Sequence, residues 1–114
     1  MIETWLQQFH DGWKTHDIDA VMTLFREDVE YWETPHRQLR GKEAVRNEWQ
    51  LIVDQQDIKV EWRVFASTPD NRHSVLWQLS YAQDSSRHSS AGVYLIKLDN
   101  AGLCEYFYYV GEEK

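Results

Sequence analysis

The sequence predicts an α+β fold in which helices come first and a meander of strands follows. Three observations carry this. Apolar residues recur at helical spacing from Ile2 to Ile52, interrupted once near Val29. After Asp57 the period changes from that of a helix to two. Turn signals such as "STPDNR" and "DNAG" then separate the strand patterns.

Each element has its own signal. Ile2, Trp5, Leu6, Phe9 and Trp13 share one helical face. Asp17 is placed to cap a second, shorter helix, whose stripe is Ile18, Val21, Met22 and Phe25. From Val29 the pattern is strand-like, and it stops near Thr34-Pro35 because proline cannot donate to a ladder. Gly41 precedes a third helix that turns Val45, Trp49 and Ile52 inward. Ile58, Val60, Trp62 and Val64 alternate with polar residues in a half-buried strand. Val75, Trp77, Leu79 and Tyr81 form the inner face of the next strand. "QDSSRHSS" is a polar hairpin end, after which Tyr94, Ile96 and Leu98 continue the inner face. Gly102 supplies the positive φ of a hairpin turn. The last strand, Leu103 to Val110, has apolar and aromatic residues on both faces, as a bulge would produce.

A chain of 114 residues is one domain, 1–114, with 42% hydrophobic residues to fill a core. The formal net charge of -7 opposes binding to nucleic acid or to anionic lipid. No apolar run reaches the ~20 residues of a membrane span. Cys104 is the single cysteine, so no internal disulfide forms, and the opening residues lack the apolar block of a signal peptide. A reducing, cytoplasmic setting is therefore expected. No histidine pair has metal-site spacing and there is no glycine-rich phosphate loop, so neither a metal nor another cofactor is expected.

Several local motifs together resemble the SnoaL-like polyketide cyclase branch of the nuclear-transport-factor-2-like superfamily. They are Phe9 and Trp13 before Asp17, "LFREDVEY", Pro35, and Gly41 with Trp49 following. "GVYLIKLDNAG" and the Gly102-x-Cys104-x-x-Phe107 strand complete the set, which spans nearly the whole chain. The resemblance implies a cone-shaped fold, with three N-terminal helices packed on a curved, mainly antiparallel sheet. It also implies an apolar pocket and frequent homodimers. Its members include ketosteroid isomerases, polyketide cyclases, dehydratases, epoxide hydrolases and non-catalytic binding domains, so the fold alone does not give the function.

Resemblance to the ketosteroid isomerases would put a catalytic carboxylate just before the proline, where this chain has Thr34. Threonine cannot act as a base at neutral pH. With Trp32 and Thr34 placed toward the cavity, alternation turns Glu33 to the opposite face. His36, just after Pro35, is then the best candidate for proton transfer, since its ordinary pKa suits that task; a surface loop histidine is the plainer reading. Glu105 is a second candidate if it points inward, and a solvated strand charge if it does not. Trp13, Trp49, Trp62 and Trp77 fall on inner faces, as core or as the walls of a pocket for an apolar or aromatic small molecule. Tyr94 could add a hydroxyl donor. Val93 and Leu95 on the outer face suggest a homodimer contact. The expected function is small-molecule binding, with cofactor-independent isomerisation, cyclisation or dehydration as the accompanying chemistry. The alternative is a non-catalytic dimeric module whose pocket is filled by its own aromatics.

Overall fold

The structure is a computed structural model that describes residues 1–114. Helices α1 (Ile2–Lys14), α2 (Ile18–Met22) and α3 (Lys42–Trp49) lie against a six-stranded sheet. The strands are β1 (Phe25–Thr34), β2 (Arg37–Arg40), β3 (Gln56–Ser67), β4 (Arg72–Gln83), β5 (Ser86–Leu98) and β6 (Cys104–Glu113). Their order across the sheet is β2-β1-β6-β5-β4-β3. All neighbours are antiparallel except β1 and β6, which run parallel. The predicted α+β class, with helices on a mainly antiparallel sheet, is what the structure has.

Helix α1 forms because its apolar residues stack at three- and four-residue intervals, and it buries Trp5, Leu6, Phe9 and Trp13 against the sheet. The Asp17 carboxylate accepts from the Ala20 amide at 3.0 Å, capping α2 as its sequence predicts. That helix ends at Met22, so Phe25 is not the last residue of its stripe. It is instead the first residue of β1, paired with Cys104 of β6. The chain also makes two elements that the periodicity does not show. These are the four-residue β2, which returns along β1 after a turn at Pro35 and His36, and a 3-10 turn over Gln50–Asp54.

Inner residues of the long strands keep the predicted alternation. Val75, Trp77 and Leu79 of β4, and Tyr94, Ile96 and Leu98 of β5, are all buried. In β6 a register shift beside Lys97 and Leu98 leaves Glu105 without a cross-strand partner. Cys104 and Phe107 therefore both face the core, although they stand three positions apart, an odd interval that regular alternation would split between the faces. Trp77 lies across two glycines in neighbouring strands: it pairs with Gly92, which pairs with Gly111. A Cβ on Gly92 would come within 2.8 Å of the indole, and one on Gly111 within 2.7 Å. The missing side chains are the space the ring occupies.

Candidate functional site

A cavity of about 150 Å3 opens between α1, the 3-10 turn after α3 and the inner face of β1 and β6. Its walls include Phe9 and Trp13 from α1, Trp49 from α3, and Tyr31 from β1; Glu33 and Glu48 reach it as carboxylates. Hydrogen bonds fix the aromatic walls. The Trp49 indole donates to the Tyr31 hydroxyl at 3.1 Å, and the Trp13 indole donates to Gln55 Oε1 at 2.8 Å. Burial holds the Tyr31 phenol far above its ordinary pKa, so it stays a neutral hydroxyl. The Tyr109 phenol is pushed up to about 12 by burial, with Tyr81 and Glu33 adding repulsion. Arg37 donates through the same nitrogen to Glu33, at 3.4 Å, and to Glu48. Its side chain is 57% exposed, whereas that of Glu48 is only 17% exposed.

The structure reverses the expected phase of β1. Val29 and Tyr31 are buried and Glu33 lines the cavity, so the odd-numbered residues face inward. Trp32 and Thr34 point the other way. Trp32 packs over Tyr108 at 6.2 Å on the outer face and donates its indole N–H to Glu30. The Thr34 hydroxyl accepts from the His36 amide at 3.1 Å and closes the turn. The reason is parity: Val29 commits the inner face, and alternation then carries Tyr31 and Glu33 with it. His36 is exposed in the β1–β2 turn, outside the cavity wall. Glu105 faces outward and is held by Arg26 at 2.9 Å and by Lys97.

Of the expected aromatic residues, Trp13 and Trp49 line the cavity. Trp62, Trp77 and Tyr94 instead stack around a buried histidine, with Trp77 and Tyr94 fully buried and Trp62 half-buried. His10 lies 5.7 Å from Trp62 and 5.9 Å from Tyr94, with nearly parallel rings, and Tyr94 lies 5.6 Å from Trp77. His10 is 1% exposed, and its Nε2 meets the Tyr94 hydroxyl at 3.1 Å. Burial lowers its pKa to about 4, outweighing the Leu6 carbonyl one turn back, which favours a proton. Nδ1 closes no hydrogen bond in good geometry. The sequence did carry a signal for this residue: Leu6, His10 and Trp13 stand at i, i+4 and i+7.

A second histidine has catalytic-looking distances. The Ser67 hydroxyl lies 2.6 Å from His73 Nδ1, and Asn71 Oδ1 lies 2.9 Å from Nε2. An acyl-transfer site would also need free donors for an oxyanion. The amides of Thr68, Asn71 and Arg72 are each used inside the β3–β4 turn. The arrangement fastens that turn. No group of three His, Cys, Asp or Glu side chains is placed to hold a metal ion.

The profile of the SnoaL-like domain family matches residues 6–105. The chain belongs to this family. Solved structures agree on the fold. RV0760c from Mycobacterium tuberculosis superposes with a TM-score of 0.83 at 17% identity, covering 97% of this chain and 94% of that one. The Delta 5-3-ketosteroid isomerase from Mycobacterium sp. gives 0.81 at 16% identity, with 97% and 96% covered. RV0760c in complex with estradiol-17beta-hemisuccinate gives 0.80 at 20% identity, with 92% and 88% covered. Identities this low establish the shared fold. No curated protein matches the chain. No helix is long and apolar enough to cross a membrane.

Proposed function

We propose that this SnoaL-like domain binds a small apolar or aromatic molecule in the cavity between α1, α3 and the sheet. The observation that carries this is the cavity itself: eight of its eleven lining residues are hydrophobic, and its volume is about 150 Å3. An apolar cavity of about this size accommodates a single benzene ring. A polycyclic ligand needs more room, because pockets for drug-sized ligands start near 300 Å3. His10 and Tyr94, packed behind the wall residue Phe9 at 5.1 and 5.8 Å, fill the space that a larger ligand would need.

Binding is better supported than turnover. Cofactor-independent isomerisation, cyclisation or dehydration needs a base beside the ligand, and Glu33 and Glu48 are the carboxylates in that position. Glu33 favours that second reading over His36, which sits outside the cavity wall. Against it, Arg37 engages both Glu33 and Glu48, so neither carboxylate is free to approach a ligand without giving up that pair. A cytoplasmic location fits the single unpaired cysteine.

The outer sheet face supports a homodimer. Leu95 and Val110 are 42% and 39% exposed; Val93 pairs with Val110, Leu95 pairs with Tyr108, and Tyr106 follows beside Lys97. Sedimentation should show a dimer that Leu95→Glu dissociates; a monomeric wild type at micromolar concentration would rule the contact out.

The cavity reading is tested by titrating 2-phenylethanol into isotopically labelled protein. The indole N–H signals of Trp13 and Trp49 should shift and saturate, while those of Trp62 and Trp77 move less. Saturable shifts confined to Trp32 would place the ligand on the outer face. No saturable shift at all would leave the filled-pocket module as the function.

A further inference from the structure

We propose that the cavity selects a cationic ligand: a primary ammonium carried on a short chain from one aromatic ring. This rests on the cavity being a ligand site and names the class it takes. Two features of the walls point the same way. Six of the lining residues are aromatic, and π faces attract a cation. The only ionisable groups of opposite type that could repel one are absent from the wall, which contains Glu33 and Glu48 but no lysine, arginine or histidine.

Charge at the mouth is unbalanced. Two carboxylates share one guanidinium, and Arg37 reaches both through a single nitrogen. One negative charge is left over where the cavity meets water. Arg37 is the exposed member of its pair with Glu48, so its head can swing into water when Glu48 takes another partner. A ligand ammonium arriving from within the cavity would take its place on Glu48, whose side chain is mostly sheltered. The ring would then rest among Phe9, Trp13 and Trp49, and the ammonium would sit between those π faces and the carboxylates. A carboxylate or phosphate ligand would meet repulsion instead, both here and from the net charge of -7.

Three probes of one shape separate the possibilities: 2-phenylethylamine, 2-phenylethanol and phenylacetate, titrated into the full chain by calorimetry. The amine should bind roughly tenfold tighter than the alcohol, and phenylacetate weaker than both. Added salt should narrow the gap. The double variant Glu33→Gln/Glu48→Gln should bring the amine-to-alcohol ratio to within about threefold of one, whereas Arg37→Gln should raise it by removing the competing cation. A purely structural role for Arg37 would not strengthen amine binding. Equal binding of amine and alcohol would overturn cation selection and leave the cavity as a neutral site, and an amine preference that survives the double variant would overturn the role given to Glu33 and Glu48. Failure of all three probes would instead remove the ligand reading and this inference with it.

Discussion

Acidification should destabilise the fold through His10. The imidazole is buried and neutral, with its pKa lowered to about 4 from an ordinary 6.5. The unfolded chain therefore takes up a proton between those values while the folded chain does not. Stability is complete above the unfolded pKa and is lost as pH falls through 6.5 toward about 4. The interval corresponds to roughly 3 kcal/mol, of which about 2 kcal/mol is gone by pH 5. Carboxylates also titrate in this range, so a control is needed. In His10→Leu/Tyr94→Phe both hydrogen-bonding partners are removed together, which avoids leaving one unsatisfied. Urea denaturation followed by tryptophan fluorescence at pH 7 and pH 5 gives the two slopes. The wild type should lose about 2 kcal/mol more than the double variant over that range. Parallel losses would show that His10 is accessible to protons in the folded state and would refute the burial argument.

Other outcomes follow from the same packing. Gly111→Ala should cost about 1–3 kcal/mol, because its Cβ would sit 2.7 Å from the Trp77 ring; thermal melting should show partial rescue by Trp77→Phe. Trp49→Phe removes the N–H donated to Tyr31, and a double-mutant cycle with Tyr31→Phe should give a coupling of about 1 kcal/mol. Cys104 is fully buried and its thiol pKa is raised by desolvation, so a thiol reagent should label it only in denaturant. Fast labelling of the native protein would contradict that burial. His36→Ala should leave stability within about 0.5 kcal/mol and leave cavity binding unchanged, because the residue sits in an exposed turn.

The sequence made the elements legible where one physical signal acted alone. The stripe of α1, the Asp17 cap and the positive φ of Gly102 each had a single cause and are present in the structure. Elements were missed where local pattern yields to long-range pairing. Phe25 continues a helical stripe in sequence, yet Cys104 recruits it into a strand. Residues 37–40 carry little signal of their own and become β2 because β1 offers an open edge. In β1 the pre-proline position puts Thr34, and Trp32 with it, on the expected inner face, but Val29 and Tyr31 share the other parity. That one-residue slip decided the candidate site, since it exchanged Thr34 for Glu33 at the cavity. His10 has the spacing of a core residue but lies beside the apolar stripe of α1 and not on it. Only the tertiary structure shows the Tyr94 hydroxyl, from a strand far along the chain, that makes its burial tolerable.

The parallel pairing of β1 with β6 has a consequence for how the protein is made. β6 joins the β2–β1 pair to the β5-β4-β3 meander, so the sheet stays in two pieces until the last strand is available. Synthesis at about 5–20 residues per second leaves β1 waiting several seconds for its partner. During that wait Tyr31 and the aromatic face of α1 have no Phe107 to pack against. Translation speed over the meander, and chaperone cover for the helical segment, should therefore govern the yield of soluble protein more strongly than changes in final stability do.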